Sequence, residues 1–246
     1  MDNKVDISAV IIARNASQTI ETTLASLARF SEVVLVDTGS TDDTIGLSKA
    51  FPNVVIYEEP FMGFGPTKNL AVNKASFDWV FSIDSDESLD ENLIEAIVDF
   101  DFSLEKNVGV VHRRNFFLGK EIKHSGWGGD HIIRLFNRKE TLFNDRMVHE
   151  SVLLKNDSNQ VNLMGALNHS AIISIDQYLN KVNAYSTLKN KTRKKKVTLF
   201  IIFLLVAFKF INVYFFKLGI LDGWRGAVIA FGNAVGVFFK HIERYE

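Results

Sequence analysis

Short runs rich in Val and Ile alternate with helix-length segments over the first hundred residues, and this alternation constrains the fold more than any other feature. The runs predict buried strands, and the repetition indicates a mostly parallel, Rossmann-like sheet with helices on both faces, so the expected fold class is α/β. Beyond residue 108 the repetition stops, and shorter strands and loops are expected. The predicted strands are 7–13, 32–37, 53–57 and 79–83, and the predicted helices are 16–30, one beginning at the capping-box spacing of 40–43, 66–75 and 90–100.

Composition narrows the class of protein. The chain has 246 residues, of which 47% are apolar, and it contains no Cys. The apolar content excludes a disordered chain, and the missing Cys excludes a disulfide scaffold and Cys-ligated metal sites. Because the start Met1-Asp2 is acidic where a signal peptide needs basic residues, we expect no cleaved leader.

The near-neutral net charge hides an asymmetry between the body and the C-terminal segment. Residues 191–246 carry ten Lys or Arg and three Asp or Glu, a net charge of +7, which leaves −8 for residues 1–190. Much of the basic charge lies in 191–196, immediately before an apolar stretch. A nucleic-acid-binding protein more often spreads its basic charge over the folded body, so a membrane surface is the expected partner.

The C-terminal apolar segment contains two stretches, 197–216 and 224–239, which predict two apolar helices. The first is about long enough to span a bilayer, which needs ~20 residues, but Lys209 interrupts it at a cost of about 2.5–3.5 kcal/mol. Monotopic or peripheral attachment to the cytoplasmic leaflet is therefore expected over a single span. The alternative is a pair of amphipathic helices that cover the body.

The most informative local sequence is Asp84-Ser85-Asp86, directly after the fourth predicted strand. Residues i and i+2 of a strand point to the same side, so the two carboxylates can converge on one hard divalent cation, Mg²⁺ or Mn²⁺. Such an ion would neutralise a diphosphate leaving group. The alternative is a solvated acidic turn. After the first strand, Arg14 and Asn15 stand where a dinucleotide-binding protein has a glycine-rich loop, and the P-loop spacing is missing from the sequence as well.

Further segments follow in a fixed order: 8–15, 33–44, 63–69, 83–87, 126–127, 130, 133–136 and Val148-His149-Glu150. Together they resemble the family 2 glycosyltransferases of the GT-A (nucleotide-diphospho-sugar transferase) fold, within them the lipopolysaccharide core β-1,4-glucosyltransferase-like branch. The resemblance implies a GT-A catalytic domain over residues 1–190 and a membrane-associating segment over 191–246. It also implies a nucleotide-sugar donor, with UDP-glucose as the family expectation.

The resemblance assigns donor roles by position. Asp37 would accept a hydrogen bond from the uracil or ribose, or else only begin the turn after its strand. Lys68 would approach the base or the diphosphate, or else be a solvated lysine on a helix surface. The residues implied for the nucleotide sugar are Arg14, Asn15, Asp37, Lys68, Asp84 and Ser85.

Metal and acid–base roles follow in the same way. Asp84 and Asp86 are the implied metal ligands, and His149 is either a third ligand or a structural histidine. Because the family inverts the anomeric centre, one carboxylate must deprotonate the acceptor hydroxyl. Asp130 is the preferred candidate for this general base, and Glu150 is the alternative.

Two further side chains are candidates for sugar binding. Trp127 would stack on a sugar or fill the core, and Arg134 would hold diphosphate or acceptor acid groups or be an exposed strand residue. His124 and His169 are expected to be structural. The predicted reaction is metal-dependent, inverting transfer of a hexose, expected to be glucose, to a membrane glycolipid such as lipopolysaccharide core at the inner membrane. The alternatives are a nucleotidyltransferase and a non-catalytic membrane scaffold.

Overall fold

The computed structural model describes residues 4–188 and 198–242, with side chains undescribed over 183–188. It divides into two compact units. The basic run 191–196 and the predicted domain boundary at residue 190 lie outside the described residues, and that boundary stays a prediction. The first unit comprises residues 1–113 and 130–169, and the second comprises 114–129 and 170–246.

Strands and helices alternate as the sequence predicts. In chain order the elements are β1 (Val5–Ala13), α1 (Ile20–Ser26), β2 (Phe30–Asp37), α2 (Thr44–Ser48), β3 (Val54–Glu58), α3 (Phe64–Lys74), β4 (Trp79–Ser82), β5 (Glu87–Leu89), α4 (Glu91–Val98), β6 (Asn107–Phe117), β7 (Lys120–Glu121), β8 (Asp130–Asn137), β9 (Asn159–Asn162), β10 (Leu167–Ile172), α5 (Ile175–Leu188), α6 (Leu199–Ile211), a π-helix (Asn212–Phe216), a 3₁₀-helix (Gly219–Asp222) and α7 (Trp224–Ile242).

The sheet has the order β3-β2-β1-β4-β8-β6-β10-β5, and the α/β fold class is confirmed. Strands β1 to β4 are parallel, so their carboxyl ends meet at one edge, and β8 runs antiparallel beside β4. Residues of β1, β2 and β4 are buried almost throughout, which explains their continuous apolar runs. Ligands of such sheets bind at the strand carboxyl ends, where the acidic motif follows β4.

Two local expectations were wrong. The helix expected at 40–43 is present as α2, which begins at Thr44, but its capping box is absent, because the side chain of the N-cap Asp43 makes no capping hydrogen bond. The chain beyond residue 108 is not limited to short strands, since β6 has 11 residues and β8 has 8. The β8 strand lies between β4 and β6 and pairs with both. This pairing stabilises β6 and β8, whose lengths the local sequence pattern does not predict.

The second unit carries the apolar helices. Leu199–Phe216 is long and apolar enough to cross a membrane, with mean hydropathy 2.4 and only 11% of the segment buried. Helix α7 packs against α5 through Gly232, where an added Cβ would lie 2.2 Å from the Tyr178 hydroxyl oxygen. That hydroxyl donates to the Ile229 carbonyl at 3.1 Å. Glycine in α7 therefore permits the close approach of an aromatic side chain from α5.

Candidate active site

Asp37 ends β2 at the carboxyl edge of the sheet, paired in register with Ala13 of β1. Its buried carboxylate accepts hydrogen bonds from the N–H groups of Gly39 (2.9 Å) and Ser40 (2.8 Å) and from the Ser40 hydroxyl. Gly39 has φ +96°, a conformation that favours glycine. The carboxylate therefore fixes the turn that follows its own strand.

Asn15 joins the exit of β1 to the same turn. Its N–H donates to Ser40 Oγ at 2.9 Å, and its Oδ1 accepts from the Thr41 N–H at 2.8 Å. Asn15 and its neighbour Arg14 are exposed, whereas Asp37 is buried. The structure thus brings these three predicted nucleotide-site residues to one sheet edge.

The turn after β4 is hydrogen-bonded to side chains of α1 and of the residue before it. The Ser85 carbonyl accepts hydrogen bonds from the hydroxyls of Thr19 (2.8 Å) and Thr23 (3.1 Å). Ser85 itself is half-buried between Asp84 and Asp86. The backbone of the acidic motif is therefore held in one conformation by two side chains that no motif in the sequence identifies.

Asp84 lies between two cations. Lys68 Nζ is 2.8 Å from Asp84 Oδ1, and Arg134 Nη2 is 2.9 Å from Oδ2. Lys68 and Arg134 are 4% and 5% exposed, so neither is a solvated surface residue. Burial raises the pKa of the Asp84 carboxyl, but the charges of Arg134 and Lys68 outweigh burial and hold this pKa well below its ordinary value. Asp84 is therefore ionised at neutral pH.

Glu87 is a second buried carboxylate, which the sequence analysis did not assign a role. Both of its oxygens lie 2.7 Å from Arg134 Nη2, and Oε2 accepts from the Asp84 N–H at 3.0 Å. Burial raises the pKa of Glu87, the charge of Arg134 opposes the rise, and the Asp84 carboxylate adds to it, so this pKa lies above its ordinary value. Glu87 orients Arg134 and the backbone of the acidic motif.

Both candidate bases are joined to this cluster. Glu150 Oε1 lies 2.8 Å from Lys68 Nζ, whereas both oxygens of Asp130 bind the Arg113 guanidinium, at 3.0 and 2.8 Å. Arg113 also lies 3.6 Å from Glu87. Acid and base therefore alternate along one network of seven side chains: Glu150, Lys68, Asp84, Arg134, Glu87, Arg113 and Asp130.

The loop that carries Glu150 packs on the first turn of α3. The Gly65 N–H donates to the Arg146 carbonyl at 3.0 Å, and a Cβ at Gly65 would lie 2.0 Å from the Asn144 carbonyl oxygen. Only glycine allows the two backbones to approach so closely. Gly65 therefore allows the loop to pack against α3, and this packing places Glu150 beside Lys68.

His169 is the residue that the structure places beside Asp86. Its Nε2 lies 3.4 Å from Asp86 Oδ2, because β10 pairs with β5 and sets His169 opposite Glu87. No three His, Asp or Glu side chains in residues 4–188 and 198–242 form a group that could hold a metal, and the expected ligand set of Asp84, Asp86 and His149 stays a prediction. The two carboxylate oxygens of Asp84 contact the side chains of Lys68 and Arg134. His149 lies in an exposed loop and has φ +59°.

Trp127 belongs to the second unit. It is half-buried and packs edge-to-face against Phe117 and Tyr178, with ring centroids 5.7 and 6.4 Å apart. Its carbonyl accepts a hydrogen bond from Asn115 Nδ2 at 3.0 Å. The indole therefore fills part of the core of that unit while part of its surface remains accessible.

The sequence analysis gave no role to Glu87 and Arg113 of this network, and it expected His169, which contacts Asp86, to be structural. Glu87 continues the acidic motif, so its position was a usable signal. Arg113 and His169 lie on β6 and β10, far along the chain from the motif, and only strand pairing brings them to it. No local pattern distinguishes them from other polar residues of half-buried strands.

The sheet order, with the acidic motif after β4 and antiparallel β8 beside it, is consistent with the GT-A fold expected from the sequence. Residues 8–167 match the profile described as glycosyl transferase family 2, and the chain belongs to that family. It is therefore an enzyme, and the nucleotidyltransferase and scaffold alternatives are set aside.

Relatives agree with this assignment. The lipopolysaccharide core biosynthesis glycosyltransferase LpsC of Rhizobium meliloti is 28% identical over 97% of this chain and 94% of its own length. An uncharacterized glycosyltransferase of Rickettsia typhi is 29% identical over 90% of this chain and 80% of its own length. The crystal structure of GalNAc-T7 with UDP, GalNAc and Mn²⁺ is 12% identical, covers 69% of this chain and 44% of that chain, and has a TM-score of 0.50, which supports the fold alone.

Proposed function

We propose that this glycosyltransferase moves a hexose, with glucose as the first candidate, from a UDP-sugar to a glycolipid acceptor of the lipopolysaccharide-core type, with inversion. The observation that carries the proposal is the charged network that joins Asp84, after β4, to both candidate bases. The similarity of nearly the whole chain to LpsC supports the class of acceptor. Arg14, Asn15 and Asp37, at the ends of β1 and β2, would border the nucleotide.

In the proposed reaction the acceptor hydroxyl oxygen attacks the anomeric carbon. The bond from that carbon to the diphosphate oxygen breaks, and the hydroxyl proton passes to a carboxylate of the enzyme. Asp84, fixed between Lys68 and Arg134, would receive the ribose hydroxyls. Groups already fixed before the substrate binds need no reorganisation as charge develops, which lowers the barrier.

The geometry favours Glu150 over Asp130 as the general base. Asp130 engages the Arg113 guanidinium with both oxygens, and its side chain is 48% exposed. Glu150 contacts Lys68 through Oε1, and its side chain is 16% exposed. A carboxylate with one oxygen outside its ion pair can accept a hydrogen bond from the acceptor hydroxyl without first breaking a bidentate contact. Asp130 is the alternative base.

Asp86 and His169 are the pair that would hold a divalent cation. The Asp86 carboxylate suits Mg²⁺ or Mn²⁺, which commonly takes one or two protein ligands and completes its shell with water and substrate phosphates. The His169 imidazole would add a nitrogen ligand, which favours Mn²⁺ over the harder Mg²⁺. Such an ion would neutralise the diphosphate as it leaves. The contact between Asp86 and His169 at 3.4 Å supports this pair over the trio expected from the sequence.

The C-terminal helices would attach the enzyme to the cytoplasmic leaflet of the inner membrane. Large side chains of α6, including Phe200, Phe203 and Phe208, are exposed along a segment of which only 11% is buried. Exposed apolar area on this scale is typical of a protein or lipid interface. We expect full-length protein to float with phosphatidylglycerol-containing vesicles, and a variant with all three Phe changed to Asp to stay in the soluble fraction. Equal flotation of both would contradict this attachment.

The catalytic proposal is tested with purified enzyme in detergent and a panel of UDP-, GDP- and dTDP-sugars, with and without Mn²⁺. We expect one UDP-sugar to raise the melting temperature in the presence of Mn²⁺ and to be consumed, with both effects lost in Asp86→Asn. Asp99→Asn, in an exposed position after α4, is the matched control. No stabilisation and no turnover with any donor, in the presence of truncated lipopolysaccharide, would contradict the proposal.

A further inference from the structure

Asp222 is a buried carboxylate outside the charged cluster of the candidate active site. It ends the 3₁₀-helix in the turn between the two apolar helices, and its side chain is 4% exposed. An acidic side chain so deeply buried is rare unless its oxygens are bound by donors. Its partners therefore indicate what it stabilises.

Those partners are three consecutive residues of one loop. Asp222 Oδ1 accepts from the Lys123 N–H at 3.2 Å and lies 3.2 Å from His124 Nδ1, and Oδ2 accepts from Ser125 Oγ at 2.6 Å. The Ser125 N–H also donates to the Lys217 carbonyl at 2.8 Å. The turn between the apolar helices thus holds this loop through four polar contacts.

The loop needs such support. Ser125 has φ +60° and Gly126 has φ +75°, so two successive residues adopt the left-handed region, which costs a non-glycine residue about 1–2 kcal/mol. The next residue is Trp127, and Gly128 and Gly129 follow it, so the sequence itself adds little stiffness. The Trp127 ring is held by Phe117 and Tyr178, whereas residues 123–125 before it depend on the Asp222 carboxylate for most of their polar contacts.

Two glycines allow the turn at residues 219–226 to pack closely against the 123–129 loop. A Cβ at Gly219 would lie 3.0 Å from Ser125 Oγ, and a Cβ at Gly226 would lie 1.8 Å from the Gly219 carbonyl oxygen. Glycine at both positions allows the turn to approach the loop and the start of α7. The close packing and the polar contacts therefore coincide at the same place.

We infer that Asp222 is a positioning residue for the acceptor: it fixes the 123–129 loop, so that Trp127 is presented to the acceptor sugar. The inference rests on the proposed function, since it takes Trp127 as an acceptor contact. The residue acts through the loop and touches no substrate.

The test uses the full-length enzyme in detergent, UDP-glucose as donor and truncated lipopolysaccharide as acceptor. Asp222→Asn should raise the KM for the acceptor by about tenfold or more, because small displacements of a positioning group have large kinetic effects. The KM for the donor and the slow hydrolysis of UDP-glucose should stay within about twofold of wild type. Asp176→Asn, an exposed aspartate of the same unit, is the control and should change neither constant.

A second readout follows the loop independently of activity. In a chain with Trp79→Phe and Trp224→Phe, Trp127 is the one remaining tryptophan. Adding Asp222→Asn should shift its emission to the red as the indole becomes more solvated. If wild type neither hydrolyses nor transfers the sugar of any donor in the panel, the proposed function fails, whereas the Trp127 emission still tests whether Asp222 fixes the loop.

Two results would overturn the inference: an unchanged KM for the acceptor in Asp222→Asn, or donor and acceptor constants that worsen in proportion. Should Asp222→Asn fail to fold, Ser125→Ala removes one of the contacts at less cost. That variant should raise the KM for the acceptor by about threefold with the donor constants unchanged, as expected for the loss of about one hydrogen bond. An unchanged KM in Ser125→Ala would then count against the inference.

Discussion

Nη2 of Arg134 lies 2.7 Å from both carboxylate oxygens of Glu87, and the Glu87 side chain is completely buried. Arg134→Met should remove this pair and leave a buried carboxylate without its main counter-charge. Breaking a buried pair in this way costs about 3–5 kcal/mol. Urea unfolding in detergent measures the loss.

Two companion variants sharpen this prediction. Arg29→Met removes an ion pair with Glu95, whose side chain is 60% exposed, and should cost no more than about 1 kcal/mol. Combining Arg134→Met with Glu87→Gln should recover part of the loss, because no unpaired charge stays buried. An equal decrease in the free energy of unfolding for Arg29→Met and Arg134→Met would show that burial of the Arg134–Glu87 pair does not increase its effect on stability.

The choice between the two candidate bases can be made by isosteric amides. Glu150→Gln should lower kcat by about 10²–10⁴-fold with little change in the KM for the donor, as expected for the loss of a general base. Asp130→Asn should lower kcat by less than about tenfold, since its carboxylate is engaged with Arg113. Steady-state transfer assays measure both. The reverse order of losses would restore Asp130 as the base.

Metal affinity separates His169 from His149. His169→Ala should raise the Mn²⁺ concentration needed for half-maximal activity by about tenfold or more, because one of two protein ligands is lost. Mn²⁺ binding in the presence of UDP, followed by electron paramagnetic resonance, should weaken in parallel. His149→Ala, an exposed histidine, should leave both measurements unchanged. The opposite pattern would return His149 to the metal site.

The packing of α5 on α7 predicts a pH effect that is specific to Tyr178. Burial raises the pKa of its hydroxyl to about 12 from the ordinary 10.0. Between these values the unfolded chain releases a proton that the folded chain retains, so the free energy of unfolding falls as pH rises, by at most about 1.4 kcal/mol per pH unit.

Tyr178→Phe should abolish this contribution. At pH 8 the wild type should be more stable by about 1 kcal/mol, the value of the hydrogen bond to the Ile229 carbonyl. Urea unfolding at pH 8 and near pH 11.5 should find this advantage reduced or reversed at the higher pH. An advantage of the same size at both values would contradict the assigned cause.

The sequence by itself determined the scaffold. Runs such as those of β1 and β2 are buried on both faces, and burial leaves a continuous apolar pattern that is visible without a structure. The acidic motif after β4 and the ordered segments sufficed to predict the GT-A fold and the family. These features are local, because each depends on a few neighbouring residues and on backbone periodicity.

Only the tertiary structure decided the partners of the charged groups. Lys68 contacts both Asp84 and Glu150, and His169 contacts Asp86, across long stretches of chain. Asp222 binds residues 123–125, about a hundred residues earlier in the chain. The physical reason is that the sequence states which side chains are charged or polar, but not which of them become neighbours. Strand pairing and loop packing decide that, and they depend on residues far apart in the chain, whereas periodicity reports only on local structure.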